Sequence, residues 1–467
     1  MPLLDATDRR LLKLAWPAFL TLSAEPIYIL VDNAIVGHIS TTALGGLAIA
    51  GTILSTISWL IAFLASGVTT QVAQRKGAGD DKGARRAVSQ GLNLALLLGF
   101  ASALIIAIGA PQLAALVGGK NLVLDAAITY LRVAALGLPA IALTFAALGW
   151  FRGIEDLRLP VRVVIGANIA NVLMEMLFVW VFKWGIGGSA WATVLVQWSA
   201  VAVYLGSMRK IIKPQRPQRE ALRALGRIGG AMLVRTGLMV STITASTWLA
   251  SRLGDTSLGA HQIGFQIYFF FALMVDALAV SSQSVFASQM GSRSGLPVGK
   301  EPAGGARSAA ELGPASSKQG SGLPGELWPV TRRLMRLGLL AGLFLALVLA
   351  LGSTVLGRFF SSDPAVLKLS VGVLLWCALM QITGAVVFVL DGVLMGADLF
   401  SKLAFGAMAS AVAFWILAAL QIRNPPLFGG LNGVWIALNV WMAVRLVGNV
   451  SIAVRYLRNP GHPSASG

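Results

Sequence analysis

About twelve runs of apolar residues, each long enough to cross a bilayer, follow one another along this chain of 467 residues. A helix rises 1.5 Å per residue, so roughly 20 residues cover the hydrocarbon layer. The runs have their cores at residues 14–35, 47–72, 92–110, 122–147, 161–181, 189–208, 228–249, 263–286, 334–356, 367–390, 403–422 and 431–454. Backbone surrounded by lipid must satisfy its own hydrogen bonds, and runs of this length do so as helices. Only 12% of residues are charged while 56% are hydrophobic, against about 25% charged in soluble domains. The expected fold is an all-α polytopic membrane protein with about twelve transmembrane helices. The lipid bilayer is its first partner.

The formal net charge of +18 does not point to nucleic acid once its placement is read. Arg75, Lys76, Lys82, Arg85 and Arg86, then residues 209–227, then Arg332, Arg333 and Arg336 fall in loops on one side. That positive-inside bias puts both termini in the cytoplasm, and a bacterial plasma membrane is the expected location. The first apolar run carries Pro17, Glu25, Pro26 and Asp32, so it reads as a retained helix rather than a cleavable signal. Cys377 is the lone cysteine and reads as core packing.

A division near residues 213–217 leaves six runs in each half, giving lobes 1–213 and 214–467. The halves echo each other: GIGGSAWA from Gly185 resembles GLNGVWIA from Gly430. Trp150-Phe151-Arg152-Gly153 falls where Val393-Leu394-Met395-Gly396 does in the second half. An even number of crossings per half implies parallel, pseudo-symmetric repeats with a site between them. Residues 291–327 are rich in Gly, Ser, Ala and Pro and read as a disordered cytoplasmic loop.

Two helices carry acids on one spacing. Glu25, Tyr28 and Asp32 recur at i, i+3 and i+7, as do Asn168, Asn171 and Glu175, which puts each trio on one helix face. An ionisable group in a lipid-embedded helix is costly and faces a cavity or a partner. Asp32 and Glu175 are the candidate proton or cation sites, because a carboxyl group removed from water beside a second acid can exchange a proton near neutral pH. Glu25, Tyr28, Asn168, Asn171 and Thr193 supply the surrounding polar network. A static network that only joins helices is the alternative. Pro17 and Pro26 each remove a backbone donor and favour bends in the first helix.

In the second half, Arg235, Asp276 and Asp391 are read either as an internal charge pair, Arg235 neutralising one acid, or as a second ion or substrate site. Arg132 and Arg445 are placed near helix ends, and His38 and His261 at the interface. No metal-ligand cluster and no cofactor motif stand out. Gly118-Gly119-Lys120-Asn121 lacks the rest of a P-loop, so energy must come from ion gradients.

VDNAIVGHIS from Val31, YLRVAALGLPA from Tyr130, NVLME from Asn171 and FVLDGVLMGA from Phe388 resemble multidrug and toxic compound extrusion (MATE) transporters, in particular the branch of DNA-damage-inducible protein F. The resemblance covers the chain apart from residues 291–327. It implies two six-helix lobes in a V and cation-driven export of drugs. Tyr28, Asp32, Asn171 and Thr193 match the family's first-lobe network, Pro17 matches its first-helix bend, and Glu175 stands where relatives often have Asp. Family members with a sodium site commonly place an acid in the seventh helix, where this chain has Arg235. Proton coupling is therefore expected, with sodium the alternative.

The reading that follows is a monomeric secondary transporter, not an enzyme, that exports amphipathic organic cations by antiport. An organic-anion exporter and a lipid-linked oligosaccharide flippase of related layout are the rivals. Acids outnumber bases inside the helices, which favours cations.

Overall fold

The computed structural model describes residues 6–212, 217–293, 324–423 and 430–458. Within them the chain forms twelve long helices: α1 (Ala6–Gly37), α2 (Thr41–Gly77), α3 (Asp81–Leu116), α4 (Asn121–Gly153), α5 (Arg158–Val181), α6 (Gly185–Met208), α7 (Arg219–Ser251), α8 (Asp255–Arg293), α9 (Pro324–Leu356), α10 (Pro364–Gly396), α11 (Phe400–Arg423) and α12 (Leu431–Ala453). Eleven of them, α2 to α12, contain stretches long and apolar enough to cross a membrane. α1, at 32 residues, matches the first apolar run, and the helix continues through Pro17 and Pro26.

The outer faces agree with a lipid environment. Leu97, Phe100, Leu104, Ile105 and Ile108 of α3 are each more than half exposed, whereas Gly91, Ala95, Gly99, Ile106 and Ala110 of the same helix are buried. A soluble protein does not present so long an apolar stripe to water. The ends are fixed by polar caps. The Ser40 hydroxyl accepts from the Ala43 amide at 3.0 Å, the Asp80 carboxylate from Gly83 at 2.7 Å, and Asp363, just before Pro364, from Ala365 at 2.8 Å. Each satisfies one of the donors that a helix start leaves free.

Two compact units emerge. One holds Leu20–Gly229, and the other holds the start of α1 up to Phe19 together with the chain from Gly230 onward. α1 and α7 are thus each shared between units. α8 runs to Arg293 and α9 starts at Pro324, so both ends of the segment 291–327 are helical, against the expectation of a loop throughout. The rest of that segment lies outside the described residues.

Each unit is organised around the fourth helix of its half. In both α4 and α10, 67% of the most apolar window is buried, more than in any other span among the described residues. The same device brings a neighbour close in each case. A Cβ on Gly149 of α4 would lie 2.6 Å from Val68 of α2, and one on Gly153 2.7 Å from Val72. On α10, a Cβ at Gly392 would meet the Ala279 carbonyl of α8 at 2.1 Å, and one at Gly396 the Gln283 carbonyl at 2.7 Å. Glycines four apart permit backbone approach that any side chain blocks. This pairing of second with fourth helix recurs in both halves, at the positions where the sequence repeat aligns Gly153 with Gly396.

Candidate functional site

The first-half unit gathers its acids between α1, α4, α5 and α6. Asp32 is 6% exposed and Glu175 fully buried. The Ser189 hydroxyl of α6 donates to Asp32 Oδ1 at 2.9 Å. Asn171 donates from Nδ2 to the Thr193 hydroxyl at 3.4 Å, and Thr193 donates in turn to the Ser189 carbonyl at 3.1 Å. Glu175 interacts with Asp32 and Ser189, yet neither of its carboxyl oxygens closes a hydrogen bond of normal geometry. Tyr130 of α4, 3% exposed, faces both acids and the Thr193 and Ser189 hydroxyls. Among the described residues no Lys or Arg forms an ion pair with Asp32 or Glu175.

The local sequence explains the convergence. Asn168, Asn171 and Glu175 share one face of α5, and that helix widens into a π-helical turn at Leu177–Val181 immediately after Glu175. Such turns interrupt regular packing and often sit at functional positions. Asn168 looks toward α1, donating to the Ala24 carbonyl at 3.3 Å. Ser189 and Thr193 lie four apart on α6; the Ser189 hydroxyl reaches Asp32, and that of Thr193 joins Asn171 to the Ser189 carbonyl.

Beside this cluster lies a cavity of about 220 Å³, lined by α4, α5 and α6. Its wall is mostly apolar, from Ile141, Phe145, Val163 and Val196, with Asn168, Asn171, Thr193, Gln197 and Tyr204 interspersed. Asn171 Oδ1, Gln197 Oε1 and the Tyr204 hydroxyl oxygen are buried there without hydrogen-bond partners. An apolar wall with a few unmet oxygen atoms suits an amphipathic guest that carries hydrogen-bond donors.

Of the residues singled out in the first half, Asp32, Glu175, Asn171 and Thr193 come together, and Asn168 borders the cavity. The side chains of Glu25, Pro26 and Tyr28 lie outside the described residues; Pro17 is half-buried in α1. Ser189 and Tyr130 were missed. Ser189 was signalled only by its four-residue spacing from Thr193.

The second-half unit builds a different cluster. Asp391 of α10 accepts from Arg235 of α7 at 2.5 Å and from Arg445 of α12 at 2.6 Å, both on Oδ2. Asn449 donates to its other oxygen at 2.7 Å. Arg235 therefore pairs with Asp391, and Asp276 stays half-buried on α8 outside these hydrogen bonds. Arg445, expected near a helix end, lies well inside α12 and is 3% exposed, paired with Asp391. His261, expected at the interface, is fully buried. Its ring packs 5.5 Å from that of Trp435, and Thr247 stands 3.4 Å from Nε2.

A MatE family model matches residues 17–177. The chain is 30% identical over 451 residues to Protein DETOXIFICATION 44, chloroplastic, of Arabidopsis thaliana, covering 94% of this chain and 80% of that one. It is 27% identical over 468 residues to DNA damage-inducible protein F of Escherichia coli (strain K12), covering 98% and 95%. Among solved structures, that of MATE in the bent conformation aligns with a TM-score of 0.82 at 17% identity, over 98% of this chain and 96% of the other. At that identity the match establishes the shared fold.

Proposed function

The chain belongs to the MatE family of multidrug and toxic compound extrusion transporters, and from that premise we propose that it exchanges protons for amphipathic organic cations at Asp32 and Glu175. It is an integral membrane efflux transporter and not an enzyme. One observation carries the proposal: two buried carboxyl groups face each other with no basic partner among the described residues. Two like charges close together and removed from water repel strongly, so the pair recruits a positive charge. A proton and a cationic substrate both meet that need, and only one is required at a time.

Competition for one site is enough to couple the two fluxes. Protons arriving from outside neutralise the acids and release the cation, and loss of the protons to the cytoplasm restores the site. The neighbouring cavity would hold the apolar body of the guest, while Asn171 Oδ1, Gln197 Oε1 and Tyr204 take its donors. Ser189 and Tyr130 orient the acids. Because Pro26 lies six residues before Asp32 on α1, a change of charge at Asp32 acts on a helix already missing a backbone bond. The protein is proposed to work as a monomer in a bacterial plasma membrane with both termini cytoplasmic.

The test is transport in proteoliposomes with imposed pH or sodium gradients. An outwardly acidic gradient should drive export of a fluorescent organic cation, and a sodium gradient alone should not. Equal export under sodium would replace the proton as coupling ion, and export confined to organic anions would remove the substrate assignment.

A further inference from the structure

The cluster around Asp391 holds more positive charge than negative. One carboxylate faces two guanidinium groups inside a helical bundle, and both arginines spend their contact on the same oxygen. The second oxygen is taken by the uncharged Asn449. Arg stays protonated in proteins, so these three groups sum to +1, and while Arg235 keeps 12% of its side chain exposed, Arg445 lies in the interior, where an unbalanced charge is expensive.

Arg445 shows where the balancing charge belongs. Its side chain is 3% exposed, and its Nη1 is buried without any hydrogen-bond partner. A guanidinium carries five donors, and leaving one unmet in a dry site costs more than a made bond returns. Trp441, one turn earlier on α12, covers the guanidinium face with its ring centroid 5.3 Å from the central carbon. That contact stabilises the cation but accepts nothing from Nη1.

We propose that the second-half unit holds a small monovalent anion, a halide or the carboxylate of an organic acid, on Arg445 Nη1, balancing the surplus guanidinium. This site is independent of the exchange assigned to Asp32 and Glu175.

Trp441 supplies the readout. Bromide quenches indole emission on close approach, so full-length protein purified in detergent and halide-free sulfate buffer is titrated with sodium bromide. The expected result is a saturating loss of emission that disappears in Trp441→Phe and in Arg445→Gln. Linear quenching identical in wild type and Trp441→Phe, the collisional signal of surface indoles, overturns the proposal. This comparison decides the matter even where Arg445→Gln does not fold. Reversal by chloride assigns the site to a free halide, and reversal by acetate but not chloride to a carboxylate. Reversal by neither overturns it.

Discussion

The two halves repeat one helix arrangement and fill it with opposite chemistry. Between α1, α4, α5 and α6, two carboxyl groups meet hydroxyls and amides, and the buried atoms left unmet around Glu175 and Asn171 are oxygens. Between α7, α10 and α12, one carboxylate is saturated by three nitrogen donors and the unmet atom is a guanidinium nitrogen. Common packing therefore leaves charge free to diverge. The glycine pairs Gly149/Gly153 and Gly392/Gly396 maintain the framework, while other residues of the same helices set which buried polar atoms are left unmet. In the first cluster no Lys or Arg among the described residues pairs with either acid. The second is locked, because Asp391 has both arginines.

That contrast can be broken by substitution. Asp32→Asn should abolish cation export in proteoliposomes while the protein still reaches the membrane and unfolds at a normal temperature. Wild-type export from Asp32→Asn would remove the first cluster from coupling. Asp391→Asn should do the reverse, since it strands the buried Arg445 and the partly buried Arg235. Breaking a buried pair costs about 3–5 kcal/mol, so thermal unfolding in detergent should show a large loss of stability. An unchanged unfolding temperature would mean that Asp391 is not the fixed anchor of its unit.

Smaller changes sharpen the comparison. Ser189→Ala removes a hydrogen bond to a carboxyl group, worth about 1.5–3 kcal/mol where the acceptor is charged, and should slow exchange by roughly tenfold. Ser189→Thr should retain the rate, and equal rates for both variants would reduce Ser189 to packing. Gly392→Ala places a methyl against the Ala279 carbonyl and should lower stability by about 1–3 kcal/mol through overpacking. It should leave the apparent affinity for the exported cation untouched, which a substrate titration of transport will reveal.

Much of this was legible in the sequence, for a physical reason. Lipid admits few backbone solutions, so runs of apolar residues fix the helices, and a spacing of three and four fixes which side chains share a face. Asp32, Asn171 and Glu175 could therefore be read together. Ser189 and Tyr130 could not, because a hydroxyl in an apolar helix is common and its partner lies on another helix. Arg445 lies well inside α12 rather than near its end, and its burial depends on Asp391 of another helix, which no run of apolar residues reveals. Asp391 accepts from both Arg445 and Arg235, so the cluster draws on three separate helices. His261 shows the same limit, since Trp435, from a helix at the far end of the sequence, covers it.

The most direct measurement concerns protons released when a cation binds. Purified protein in weakly buffered detergent, at a pH where the first-half acids hold a proton, is mixed with a saturating organic cation while a pH dye is followed. The account predicts release of about one proton per bound cation, and none from a Asp32→Asn, Glu175→Gln double variant. Tight binding by the wild-type protein with no proton released would contradict it.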